Sequence, residues 1–155
     1  MNQLLLLGLL SGAAVANGST AIMFKPSYDD WAITAEATGQ LSVSEEAFTV
    51  TLDNVAMTAS GKSPVRLRGY RICIAYQNKS PEWAMANCSR RISHPAKLHP
   101  GESETLDPAT LVIPKKNLPP MDKSWFVLEV ELTNPPSQQI GYVYSNSDVG
   151  FDGTP

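Results

Sequence analysis

The sequence predicts an all-β protein: an antiparallel two-sheet sandwich of about seven strands, pinned by one disulfide. Three observations carry this. Apolar residues recur at every second position in several short segments, the period of a half-buried strand. Clusters of Pro, Gly, Asn and Ser separate those segments, and no stretch holds the longer period of an amphipathic helix. The chain has 155 residues, 43% of them hydrophobic, and two cysteines. That is enough material for one core of ordinary size.

The first sixteen residues stand apart. An apolar run from Leu4 to Leu10 leads into small residues and Ala14-Val15-Ala16, the pattern of a secretory signal peptide and its cleavage site. The run is too short to span a bilayer, which takes about 20 apolar residues. Residues 1–16 are therefore expected to be removed, 17–30 to form a flexible lead-in, 31–146 the sandwich, and 147–155 a polar tail. Within the sandwich, Trp31, Ile33 and Ala35 alternate with Ala32, Thr34 and Glu36, and Phe48, Val50 and Leu52 alternate with Thr49, Thr51 and Asp53. Val55 and Met57 resume in the opposite phase, which places a bulge or bend near Asn54. Ser60 to Pro64 is a turn by composition.

Val65 to Gln77 is the longest strand candidate, with Tyr70, Ile72, Ile74 and Tyr76 on one face and Arg71, Cys73 and Ala75 on the other. Asn78-Lys79-Ser80-Pro81 ends it. A loop or helical turn is expected from Trp83, then a strand from about Asn87. His94 to Ser103 holds two prolines and a glycine and reads as a loop. Leu106 to Ile113 contains a short strand. In Trp125 to Thr133, Phe126, Leu128, Val130 and Leu132 oppose Trp125, Val127, Glu129 and Glu131; Ile140, Tyr142 and Tyr144 form a last strand, hairpin-paired with it. The segment Leu98-His99-Pro100-Gly101-Glu102-Ser103 resembles the turn before a strand in immunoglobulin-like sandwiches. That resemblance implies an immunoglobulin-like fold and carries no function.

The leader implies a secreted protein, extracellular or periplasmic, in which Cys73 and Cys88 pair. The bridge would close a loop of about 15 residues, worth roughly 3 kcal/mol in the chain-entropy model. Asn17-Gly18-Ser19 and Asn87-Cys88-Ser89 are possible glycosylation sequons. A net charge of −3 and the lack of a basic domain argue against a nucleic-acid partner. No stable membrane insertion is expected after cleavage. Arg66 and Arg68 fall on one side of a strand and Arg71 on the other under strict alternation, which suits a solvated face or an anionic ligand.

Catalytic patterns are sparse. There is no G-x-S-x-G elbow and no phosphate loop. His94 and His99, each followed by proline, could approach a metal together with Glu104, although a catalytic zinc needs all three. No cofactor is expected. Glu129 and Glu131, two apart on one strand face, read as solvation rather than as a glycosidase pair. Trp125, on the same side, is an exposed aromatic of a sugar- or protein-binding face if that side meets water, or else a strand-start Trp that covers the end of the sandwich. The expected function is a non-catalytic binding module for an extracellular protein or glycan, using Trp125, Glu129 and Glu131 with Trp83 and His99. Two other readings are a small secreted hydrolase or metal-dependent enzyme built on His94 and His99, and a structural subunit that adds strands at open sheet edges.

Overall fold

The computed structural model describes residues 19–26, 32–134 and 140–148. The expected signal peptide, Asn17, Trp31 and the end of the polar tail lie outside these residues. The described chain is all-β, without a helix, and forms ten strands: β1 Thr20–Pro26, β2 Ile33–Val43, β3 Ala47–Ala59, β4 Val65–Gln77, β5 Trp83–Cys88, β6 Ile92–Leu98, β7 Ser103–Leu106, β8 Ala109–Pro114, β9 Lys123–Asn134 and β10 Ile140–Asp148.

They make two antiparallel sheets. In one, β10 pairs with β9, β9 with β4, and the far edge of β4 carries β5 and β6 end to end. In the other, β1 pairs with β2, β2 with β3, and the far edge of β3 carries β7 and β8. Phe24–Pro26 of β1 also pair with β10, so hydrogen bonding runs unbroken around one side of the sandwich. The sheets face each other across the core: the Phe48 ring of β3 meets the Phe126 ring of β9 edge-on, 5.5 Å between centroids. Around this contact lie Phe24, Ile33, Leu52, Ile72, Ile74 and Leu128, all buried.

Alternation explains the long strands. In β2 the buried positions are Ile33, Ala35, Ala37, Gly39 and Leu41, every second residue. In β3 the phase changes between Leu52 and Val55, and the pairing with β2 slips there, Thr38 to Asn54 and then Gly39 to Leu52. This is the bulge the sequence places near Asn54.

β4 has a second slip that alternation alone does not reveal. Val65 and Leu67 are buried, and so are Tyr70, Ile72 and Ile74. Three residues rather than two separate Leu67 from Tyr70, and the register with both β9 and β6 shifts between Leu67 and Gly69. Gly69 allows it. A Cβ at this position would sit 2.2 Å from the Ile92 carbonyl oxygen, far inside van der Waals contact.

Several elements depart from the sequence reading. Thr20–Pro26, expected within a flexible lead-in, is β1, with Ile22 and Phe24 in the core. Trp83–Cys88 is strand throughout, with no helical turn. Half of the expected His94–Ser103 loop, His94 to Leu98, is β6. Pro95 is tolerated there because β6 is an edge strand and its register jumps from Ala96 to Ser93. The loop proper is His99-Pro100-Gly101-Glu102, closed by Glu102 N–H donating to the His99 carbonyl at 2.9 Å, with Gly101 at φ 84°. Proline followed by a positive-φ glycine is the signature of a type II turn. β10 continues to Asp148, past the expected start of the tail at residue 147.

The core contains one polar misfit. The Tyr70 hydroxyl is buried without a hydrogen-bond partner among the described residues. Burial, and to a lesser extent the Asp107 carboxylate, hold its phenol above the ordinary value of 10.0. The folded state therefore favours the neutral phenol, so this contribution is intact below pH 10 and is lost as pH rises beyond it. Tyr70→Phe is expected to stabilise the fold by about 1 kcal/mol at neutral pH and to lessen the alkaline loss; urea unfolding at pH 7 and 10.5 reads both. Gly69→Ala is expected to cost about 3 kcal/mol or more, because backbone rather than a pliant side chain occupies the space. The same urea titration measures it.

Candidate functional site

The outward face of β5, β4 and β9 collects most of the residues the sequence singles out. Its register pairs Arg71 with Glu129, Cys73 with Val127 and Ala75 with Trp125 on one side of β4, and Cys73 with Cys88, Ala75 with Met85 and Gln77 with Trp83 on the other. Cys73 and Cys88 form a disulfide, Cα atoms 4.0 Å apart. With Ala75 and Val127 it makes a small apolar cluster separate from the main core, against which Met85 and Trp125 pack. Trp125 is partly buried rather than fully exposed, and Trp83, 36% exposed, lies beside it with ring centroids 6.3 Å apart and planes inclined by 57°. The two indoles form an angled shelf, with Trp125 packed on the disulfide cluster and Trp83 against Trp125. The β4–β5 hairpin that presents Trp83 is tied down by Gln77 Nε2 donating to the Pro81 carbonyl at 2.7 Å and by Lys79 N–H donating to Asp122 Oδ2 at 3.0 Å.

Next along β4 is an ionic cluster. Glu129, expected on a solvated face, is 1% exposed. Its carboxylate accepts from Arg71 Nε at 2.8 Å, Arg71 Nη2 at 3.3 Å and Arg91 Nη2 at 3.1 Å. Glu131 accepts from Arg68 Nη1 at 3.3 Å and is also paired with Arg91. The guanidinium groups and their stems cover the carboxylates, as long cationic side chains do when they lie along a sheet. Both acids are held by arginines, which leaves neither as a free catalytic carboxylate.

The β4 slip also corrects the placement of the arginines. Arg66 and Arg68 flank Leu67, which faces the core, and Arg71 pairs on the outer face with Glu129. All three share one face instead of two.

The histidines do not converge. His94 Nε2 lies 3.0 Å from Glu104 Oε1, joining β6 to β7. His99 sits in the turn, its backbone N–H bound to Glu102 Oε2 at 2.7 Å. Five steps of extended chain separate them by roughly 16 Å, and no group of three or more His, Cys, Asp or Glu suited to a metal occurs among the described residues. His99 is also remote from the indoles. It follows Leu98, which pairs with Val65, whereas Trp125 pairs with Ala75, about 33 Å along β4. The expected surface of Trp125, Glu129, Glu131, Trp83 and His99 thus resolves into an indole shelf and an ionic cluster, without His99.

The expected acceptor Asn87 has its amide nitrogen engaged: Nδ2 donates to the carbonyls of Pro114 at 2.6 Å and Lys116 at 2.9 Å. Ser89 of the same sequon is buried and accepts from Ile72 N–H at 3.0 Å. Asn87 here clamps the edge of one sheet to the other. Met85 and Arg91 add to the expected site residues, and Arg71 moves from a cationic strand face into the ionic cluster. Their signal in the sequence is faint: neither β4, β5 nor β6 contains a single Asp or Glu.

No family model, no curated protein and no solved structure matches the chain. The geometry of this face is therefore the basis for function.

Glu129→Gln is expected to cost about 1–3 kcal/mol, less than the loss of a fully buried ion pair because Arg71 and Arg91 are each about one-third exposed and can turn to water. Arg68→Ala, which removes an exposed pairing, should change stability by less than about 1 kcal/mol. Chemical denaturation of the two variants side by side tests the contrast.

Proposed function

We propose that the chain is an exported, non-catalytic recognition module of the immunoglobulin-like kind, and that its ligand, a glycan or a protein surface, lies against the Trp83–Trp125 shelf. The observation that carries this is the paired indoles on an outward sheet face, 6.3 Å apart, with Trp125 seated on the disulfide cluster. Aromatic side chains so placed offer a large, stiff apolar contact at low entropic cost. Export is supported by the Leu4–Leu10 run, by Ala14-Val15-Ala16 and by the bridge, since structural disulfides persist in oxidising compartments.

The immunoglobulin-like reading rests on strand order. β3 and β8 pair in one sheet and β4 and β9 in the other, while β3 leads directly into β4 and β8 into β9. This is the two-sheet pairing of the central strands in such sandwiches, with β2 and β10 as the next strands out. The bridge differs: it joins neighbours within one sheet rather than the two sheets. A second reading, assembly through sheet edges, is favoured by β5, β6, β7 and β8 each pairing on one side only.

The test is a glycan array, with Trp83→Ala as the discriminating variant. At least one glycan class should be retained. Truncating an aromatic anchor costs about 2 kcal/mol or more, so the variant should bind roughly thirtyfold more weakly with an unchanged melting temperature. An empty array, or binding indifferent to Trp83, refutes a glycan on the shelf.

A further inference from the structure

We propose that the ligand of this face is a linear acidic polysaccharide, its carboxylate or sulfate groups held along Arg66, Lys97 and Arg68 while a sugar ring lies on the Trp83–Trp125 shelf. The proposal rests on the shelf being a binding site and names the chemistry that the rest of the face selects.

The charge distribution is lopsided. The whole chain has a net charge of −3. Yet Arg66, Arg68, Arg71, Arg91 and Lys97 gather on one outward face, where Glu129 and Glu131 are the only acidic residues of β4, β5, β6 and β9. Those two carboxylates are taken up by Arg71 and Arg91. Arg68 shares Glu131 with Arg91 and its side chain remains 64% exposed. Arg66 and Lys97 have no acidic partner among the described residues.

Those two unpaired cations are also register partners, directly opposite each other on β4 and β6. Like charges in that relation destabilise a sheet. Neither residue packs in the core, so folding gains nothing from keeping both positive. A polyanion laid along the strand supplies the missing counter-charge to both.

The layout favours a polymer. Arg66, Arg68, Arg71, the bridge and the indoles follow one another along the outer face of β4, from Arg66 to Gln77 opposite Trp83, a length of roughly 36 Å at strand rise. A small anion would use one point of this line. A protein partner calls for a central apolar anchor ringed by polar contacts, whereas here the apolar patch lies at one end. A single-stranded nucleic acid calls for aromatic side chains spaced along the cationic track so that successive bases can stack, whereas here both indoles sit together at one end.

The experiment uses the full chain with its disulfide intact, titrated with polygalacturonate, dextran sulfate, neutral dextran and a thymidine oligonucleotide. One of the two acidic polysaccharides should bind, and which one identifies the carboxylate or the sulfate. Its affinity should fall about sevenfold to twentyfold between about 50 and 200 mM salt, as expected for a single-stranded polyanion that makes two or three cationic contacts. The double variant Arg66→Ala, Lys97→Ala should bind at least tenfold more weakly with a shallower salt dependence, and should melt no lower than the parent. Undiminished binding by the double variant overturns the proposal. Neutral dextran binding as tightly as the acidic polymers overturns it too, and leaves the shelf standing as a neutral-sugar site. Equal or tighter binding of the oligonucleotide assigns the face to nucleic acid instead. Failure of every polysaccharide, together with an empty glycan array, removes both the proposal and the glycan reading of the shelf beneath it.

Discussion

The one-residue slip in β4 between Leu67 and Tyr70 is the constraint on which both the core and the outer face depend. β4 is the best-connected strand of its sheet, flanked by β9 on one side and by β5 and β6 on the other. Continued in strict alternation from Val65 and Leu67, it would turn Gly69, Arg71, Cys73 and Ala75 into the core and Tyr70, Ile72 and Ile74 out to solvent. Shifting phase by one residue exchanges every side chain between the faces. The slip prevents this: it keeps Ile72 and Ile74 against Leu128 and Phe126, and it brings Arg71 opposite Glu129 and Cys73 opposite Cys88. Gly69 is the residue that permits it, because the Ile92 carbonyl approaches to where any Cβ would stand.

The two patches that result on the outer face are held by different forces. The shelf is apolar and covalently braced. Cys73–Cys88 ties β5 to β4 just beneath Met85 and Trp125, and Asn87 fastens the same strand to the loop after β8. The indoles are thus presented on a fixed edge. The ionic cluster depends on mutual desolvation. Glu129 loses its water because Arg71 and Arg91 fold over it, and the cost is offset only because both of its oxygens receive guanidinium hydrogen bonds. It links β4, β9 and the β5–β6 connection at the place where the bulge weakens the ladder.

What the sequence makes legible follows from locality. β2, β3 and β9 are readable because each has one face in the core and one outside, so the pattern within a dozen residues suffices. The bulge near Asn54 is readable for the same reason, since apolar residues resume on both sides of it. β1 and β6 are not. They are short, flanked by proline and glycine, and one contains Pro95, so composition mimics a loop. Only pairing with β2 and β10 for the first, and with β4 for the second, makes them strands. The slip in β4 is hidden because Arg66 and Arg68 before it and Arg71 after it carry the same charge. Glu129 is hidden by long range as well: a glutamate alternating with Leu128 and Val130 looks solvated until Arg91, 38 residues earlier, closes over it. The disulfide was legible because only two cysteines exist to pair.

The charge asymmetry bears on how such a face would work. At physiological ionic strength the field of exposed charges decays over about 8 Å, and the molecule as a whole is negative. Arg66, Lys97 and Arg68 therefore cannot draw a polyanion from a distance; they act at contact. Recognition then depends on spacing. The cations are fixed at strand intervals along β4 and β6, and the shelf is fixed by the bridge at the other end of the same strand. A stiff polymer with charges at the wrong pitch would satisfy the arginines or the indoles but not both. The bulge sets that pitch, because it determines how many residues of β4 separate Arg66 from Trp125 while keeping both on one face. A repulsive pair on an otherwise well-matched sheet is then intelligible as a site whose counter-charge comes from the ligand.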